Sequence, residues 1–185
     1  MANEKTEIFK VGFILFAITA IAALVLAVVN NFTAPVIEAN NKRAQERAMR
    51  IVLPDAEGFE AVDFTTAEGS SVTEVYDAKG IGTVVKASPN GYGGKIDMVV
   101  GVDNNLKVTG IEIVAQSETA GLGSNCQNDS FKAQFIGKTE NISVVKSGSK
   151  DNEIDAISSA TVTSKAVTKG VNDALAIVKS MKGGE

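Results

Sequence analysis

Nineteen consecutive residues near the N-terminus, Val11 to Val29 (VGFILFAITAIAALVLAVV), carry no charge and no proline. As a helix this run is about 28 Å long, close to the hydrocarbon thickness of a bilayer. A cleaved secretory signal has a shorter apolar core and a small-residue cleavage site before a polar mature start. Here the run is long, Ala-Val-Val-Asn-Asn makes a poor cleavage site, and there is no lipobox cysteine. The run predicts a retained single-span anchor over 11–29, preceded by a short tail over 1–10.

Charge does not orient this anchor. Lys5 and Lys10 are balanced by Glu4 and Glu7, and the other flank has no base until Lys42, Arg43, Arg47 and Arg50. The positive-inside rule does not choose a side on that distribution. Residues 30–54 are rich in Ala, Glu, Asn and Arg and close at Pro54, which predicts a helical stalk with Pro35 near its start. The sparse apolar positions of this stalk fit a helix lying on a partner or in the interface, and equally a solvated connector.

The remainder, 55–185, is long enough for one domain. With 18 basic and 22 acidic residues the net charge is −4 and no basic patch dominates, which speaks against a nucleic-acid partner. There is no histidine and no tryptophan, and Cys126 is the single cysteine. Such a chain has little from which to build a zinc, haem or iron–sulfur site by itself, and it can form no internal disulfide. Redox chemistry would have to come from an organic cofactor.

From Phe59 onward short β-like segments alternate with turn residues. Val72–Tyr76 and Ile81–Ala87 flank a turn at 77–80. Ile96, Met98, Val100 and Val102 alternate as in a half-buried strand, and Asp103-Asn104-Asn105 turns into a strand over 106–115. The apolar phase flips across Gly110, which predicts a β-bulge there. A short helix over 130–136, a strand over 142–145 and a helix from about 160 to 181 complete an α+β domain on an antiparallel sheet.

Three segments have compositions that simple connectors do not need. Gly91-Tyr92-Gly93-Gly94 surrounds an aromatic ring with glycines, which lets backbone approach a ligand closely. Ser117-Glu118-Thr119-Ala120-Gly121-Leu122-Gly123-Ser124 offers N–H groups, a hydroxyl and a carboxylate at a strand end. Asp155-Ala-Ile-Ser158-Ser159-Ala160-Thr161-Val162-Thr163-Ser164 crowds hydroxyls ahead of the helical face Val167, Val171, Leu175 and Val178. Hydroxyls there can cap free N–H groups, and those groups with the helix dipole attract an anion. Each segment alone also reads as an ordinary turn or cap.

In this order and spacing the three resemble the FMN-binding domain of the G subunit of Rnf complexes, and of the related C subunit of sodium-pumping quinone reductases. The resemblance covers the whole chain, span and stalk included, and the short length favours the Rnf subunit. The family usually has Gly at the position of Ser159, Pro at that of Ala120, and often His shortly before Glu118, where this chain has Gln116 and Ser117.

The resemblance implies that Thr161 carries FMN through a phosphoester bond installed by a separate flavin transferase, with Ser158, Ser159, Ala160, Val162 and Thr163 around it. Thr163 is the nearby rival hydroxyl. Asp155 would orient the turn, and Lys146 would offset the phosphate or sit by the flavin, unless it is a plain surface lysine. Glu118, Thr119, Gly121, Leu122 and Gly123 would hold the isoalloxazine ring, with Tyr92 lining the site. The implied function is an electron relay in an ion-translocating ferredoxin:NAD oxidoreductase of the cell membrane, beside multi-span and iron–sulfur subunits, with the domain on the extracytoplasmic side. A stand-alone anchored flavin shuttle and a cofactor-free binding module remain open on the residues alone.

Overall fold

A computed structural model describes residues 2–183. The N-terminal region forms one helix, α1 (Ala2–Val52), which runs through Pro35 without a break. The chain divides into two compact units, Met1–Arg43 and Ala44–Glu185. In the first unit, the large apolar side chains Phe13, Leu15, Leu24 and Leu26 are all exposed on the helix. Two of its hydroxyls bond back to the helix's own carbonyls: Thr19 Oγ1 donates to Leu15 O and Thr33 Oγ1 to Val29 O, each at 3.0 Å. Bonds of that kind satisfy polar groups without water, as a lipid surrounding requires. Among the described residues this is the one helix long and apolar enough to cross a membrane.

The second unit is built on an antiparallel sheet of β1 (Glu60–Ala61), β2 (Val72–Asp77), β3 (Gly82–Ala87), β4 (Ile96–Asp103) and β5 (Val108–Gln116), neighbours in that order. Between β5 and the last helix lie a 3₁₀ turn over Gly123–Gln127, α2 (Asp129–Lys132) and a further 3₁₀ turn over Ala133–Phe135. A small parallel pair, β6 (Ser143–Val145) with β7 (Glu153–Asp155), precedes α3 (Thr161–Lys182). β7 and β1 were not legible beforehand, because two or three residues carry no readable periodicity. The bulge near Gly110 is present: Gly101 pairs with Gly110 but Val102 with Val108, which leaves Thr109 extra.

Each face of the sheet has its own cover. One cross-strand row, Val75, Val85, Val100 and Ile111, lies in register and belongs to the core under α3. Val167, Val171, Ala174, Leu175 and Val178 supply the helix side of that core. The neighbouring row, Tyr76, Val84, Gly101 and Gly110, faces the other way. There the last turns of α1 and the residue after it lie down, burying Ala48, Met49, Val52 and then Leu53 against Val84 and Val99. Gly101 makes the room: a Cβ there would stand 2.6 Å from Val52 O.

This corrects two expectations. Strand β4 is not half-buried but covered on both faces, since Val99 and Gly101 lie under α1. The end of the expected stalk rests on the domain's own sheet. Lys86, itself buried, fastens it by donating to Gln45 Oε1 at 2.7 Å and pairing with Glu74 at 2.9 Å.

Candidate functional site

A cavity of about 570 Å³ opens where the three singled-out segments meet. Its walls are Tyr92, then Glu118, Thr119, Leu122 and Gly123, then Ser159, Ala160, Thr161, Val162 and Thr163. The volume lies within the range of small-molecule and cofactor sites. Tyr92, Leu122 and Val162 are exposed large apolar side chains at its surface. Among the described residues no group of His, Cys, Asp or Glu could hold a metal ion.

Glu118 sits at the centre of the convergence and is 8% exposed. Its Oε1 accepts from the backbone N–H groups of Tyr92 and Gly93, both at 2.9 Å. Its Oε2 accepts from the Thr163 hydroxyl. Glycines surround it because nothing larger fits. A Cβ on Gly91 would lie 2.3 Å from Glu118 Oε1, one on Gly93 2.1 Å from Ser117 O, and one on Gly123 2.6 Å from Thr163 Oγ1. Much of the glycine content of both loops therefore serves the packing around this carboxylate. The sequence had suggested instead an approach of backbone to ligand.

The third wall is the start of α3. A tight turn closes from Ala160 N–H to Ile157 O at 3.0 Å, with Ser159 at φ 60. That left-handed conformation costs a side-chain-bearing residue about 1–2 kcal/mol and costs glycine nothing. The expected capping by serine and threonine does not occur: the cap position is Ala160, and no side chain caps the helix. Ser164 Oγ instead accepts from Ile157 N–H at 2.9 Å, reaching back over the turn. The first-turn N–H groups, left without a side-chain acceptor, end at the wall formed by 160–163.

The two candidate threonines are thereby separated. Thr163 is 1% exposed and its hydroxyl is committed to Glu118. Thr161 is exposed on the cavity wall, and its hydroxyl engages no other described residue.

Residues 91–176 match the FMN-binding domain family, and residues 1–52 match the RnfG N-terminal region family. The G subunit of the Na⁺-translocating ferredoxin:NAD⁺ oxidoreductase complex of Acetobacterium woodii is 38% identical, over 97% of this chain and 98% of its own length. The chain belongs to the G-subunit family of Rnf complexes. The G subunit of the proton-translocating complex of Clostridium ljungdahlii is 36% identical over the full length of both proteins. The crystal structure of NqrC from Shewanella oneidensis has the same fold, with a TM-score of 0.51, 17% identity, and 66% of this chain and 72% of that one covered.

Four residues that the resemblance to the Rnf family had suggested for the site lie outside the cavity of this G-subunit chain. Asp155 is in β7, where Oδ1 accepts from Ser149 N–H at 2.8 Å and its own N–H donates to Gln134 Oε1 at 2.7 Å. It shapes the loop before the motif. Gly121, at φ 74, makes the turn in which its N–H meets Ser124 Oγ at 2.9 Å. Ser158 and Lys146 are not among the residues that line the cavity. Cys126 lies beside the site, fully buried close to Glu118, and burial first, then the Glu118 charge, pushes its thiol up to about 11.

Proposed function

We propose that this chain is the covalent-flavin electron carrier of an ion-translocating ferredoxin:NAD oxidoreductase complex, with FMN joined through its phosphate to Thr161. The observation that carries the reading is the contrast between two hydroxyls two residues apart. Thr161 faces the cavity with an uncommitted hydroxyl, whereas Thr163 is buried and bonded to Glu118.

The residues fit the group. The first-turn N–H groups of α3, with no side-chain cap, favour the negative charge that a phosphodiester retains. Leu122, Ala160, Val162 and Tyr92 offer apolar surface to a flat ring. FMN, when bound, supplies one- and two-electron chemistry that no side chain of this chain offers. Thr119 and Gly123 line the cavity beside the ring's place, while the Leu122 backbone is spent on Thr119 and Asn125. Glu118 and Thr163 hold the walls.

The chain needs partners. It supplies one apolar helix without a charge between Val11 and Val29, so the ion path belongs to multi-span subunits and the adjoining electron carriers to iron–sulfur and flavin subunits. The A. woodii and C. ljungdahlii relatives are almost equally similar and come from complexes named for different ions. Overall similarity to these relatives does not distinguish the two ions for this chain. We place the domain outside the cytoplasm, where a covalent bond keeps a cofactor that could not be replaced after loss.

The test is mass spectrometry of the Thr161 peptide from protein co-produced with a flavin transferase. The expected result is one added FMN, less one water, on Thr161, with in-gel flavin fluorescence lost in Thr161→Ala and a complex that co-purifies with multi-span and iron–sulfur subunits. Fluorescence retained in Thr161→Ala sinks the assignment.

A further inference from the structure

We propose that Glu118 is the positioning residue for flavin attachment: it fixes the first turn of α3 so that Thr161 faces the cavity, and it does not serve as a ligand of the flavin ring. This deepens the reading of Thr161 as the FMN-bearing residue and rests on it.

A carboxylate offers about four acceptor sites. Tyr92 N–H, Gly93 N–H and the Thr163 hydroxyl occupy three of them, and the side chain is enclosed by Gly91 and Gly123 at distances no Cβ would tolerate. Little of this group is left for a ligand. What it does is join three segments that are distant in sequence.

The consequence for Thr161 follows from helix geometry. At 3.6 residues per turn, two residues differ by about 200° around the axis. Thr163 continues the buried face of Val167 and Val171 into the first turn, and its bond to Glu118 pins that uncapped turn inward, which keeps Thr161 outward on the cavity wall where it is found. No side-chain cap performs that task, because the cap residue is Ala160. The other tie at this turn, Ile157 N–H to Ser164 Oγ, joins α3 to its own preceding turn and leaves the opposite walls unattached. Glu118 alone among the lining residues reaches both the Tyr92 loop and α3.

The experiment uses the full chain co-produced with its flavin transferase, scoring the rate of FMN incorporation by intact mass. Amide exchange at Tyr92 and Gly93 is read separately in the flavin-free Thr161→Ala background. Glu118→Gln can still accept both N–H bonds and can donate its amide to Thr163 Oγ1, so loading and exchange should stay near wild type. Thr163→Ser should load normally. Thr163→Val and Glu118→Ala, checked as folded by thermal melting, should load roughly tenfold to a hundredfold more slowly, the range a misplaced reacting group produces. Exchange at Tyr92 and Gly93 should rise roughly tenfold in Glu118→Ala only, as that local opening becomes easier.

Wild-type loading in folded Thr163→Val overturns the proposal, and so does slow loading in Glu118→Gln with unchanged exchange, which would make charge the operative property. If Glu118→Ala does not fold, the Thr163 pair still decides. Absence of FMN from wild-type Thr161, with exchange responding as described, defeats the attachment reading while leaving the Glu118 tie intact.

Discussion

The Thr163 hydroxyl donates to the carboxylate of Glu118, forty-five residues earlier in the chain, and both groups are buried. A buried charge is tolerated only where donors surround it, and here two backbone N–H groups complete the set. The same contact takes one of two neighbouring threonines out of reach of chemistry and leaves the other exposed.

The glycines around that carboxylate should tolerate substitution poorly. Gly91→Ala and Gly93→Ala place a methyl within 2.3 and 2.1 Å of Glu118 Oε1 and Ser117 O. Overpacking of this kind costs about 1–3 kcal/mol, and the Gly93 change should be the harsher because it meets backbone. Gly58→Ala, with nothing within 4 Å, is the control and should melt within a degree or so of wild type. Equal melting temperatures for all three variants would contradict the packing described.

Ser159 occupies a conformation that suits glycine. At φ 60 the serine side chain is strained, so Ser159→Gly should stabilise the fold by about 0.5–1 kcal/mol, after the greater freedom of glycine in the unfolded chain is deducted. Thermal melting measures this directly. Because the turn keeps its shape, FMN incorporation should be at least as fast as in wild type.

Asp173 ties α3 to the start of β2. Ser71 N–H and Oγ donate to its Oδ2 at 2.7 and 2.6 Å, and Lys169 Nζ pairs with the same oxygen at 2.6 Å. Burial alone would raise this carboxyl, but the bonds from Lys169 and Ser71 hold it below its ordinary 3.8. A depressed carboxylate pKa contributes stability that is present above the unfolded value and is lost as pH falls through the folded one. Asp173→Asn should therefore cost about 1–2 kcal/mol at neutral pH. The gap to wild type should close below pH 3.8, as seen in melts taken across that range.

Cys126 should be inert in the folded protein. Its thiol is raised from an ordinary 9.0 to about 11, so thiolate is scarce at pH 8 and a thiol reagent should react only on unfolding. The folded state keeps the proton longer than the unfolded chain. Stability should thus be unaffected by this group below pH 9.0 and decline between 9.0 and about 11. Cys126→Ala should flatten that decline, and rapid native labelling would contradict the burial.

Much of this molecule was set by local sequence. A run of nineteen apolar residues, the alternation at Ile96, Met98, Val100 and Val102, and the helical spacing of Val167, Val171, Leu175 and Val178 depend only on periodicity, and each became the element it indicated. The broken phase at Gly110 likewise marked a bulge, because side-chain direction in a strand is fixed by parity. The motif order also named the three segments that meet at the cavity.

What local sequence could not decide was who faces whom. Thr163 falls one turn before Val167 on the buried face of α3, but the partner that its hydroxyl meets there, Glu118, lies forty-five residues away and is not readable from that periodicity. Asp155 belongs to the motif yet is spent on Ser149 and Gln134, and the hydroxyls expected to cap α3 do not. The last turns of α1 cover a sheet face that the alternation of β4 had marked as open. Each of these depends on partners distant in the chain, and burial and hydrogen-bond satisfaction are settled only when those partners arrive.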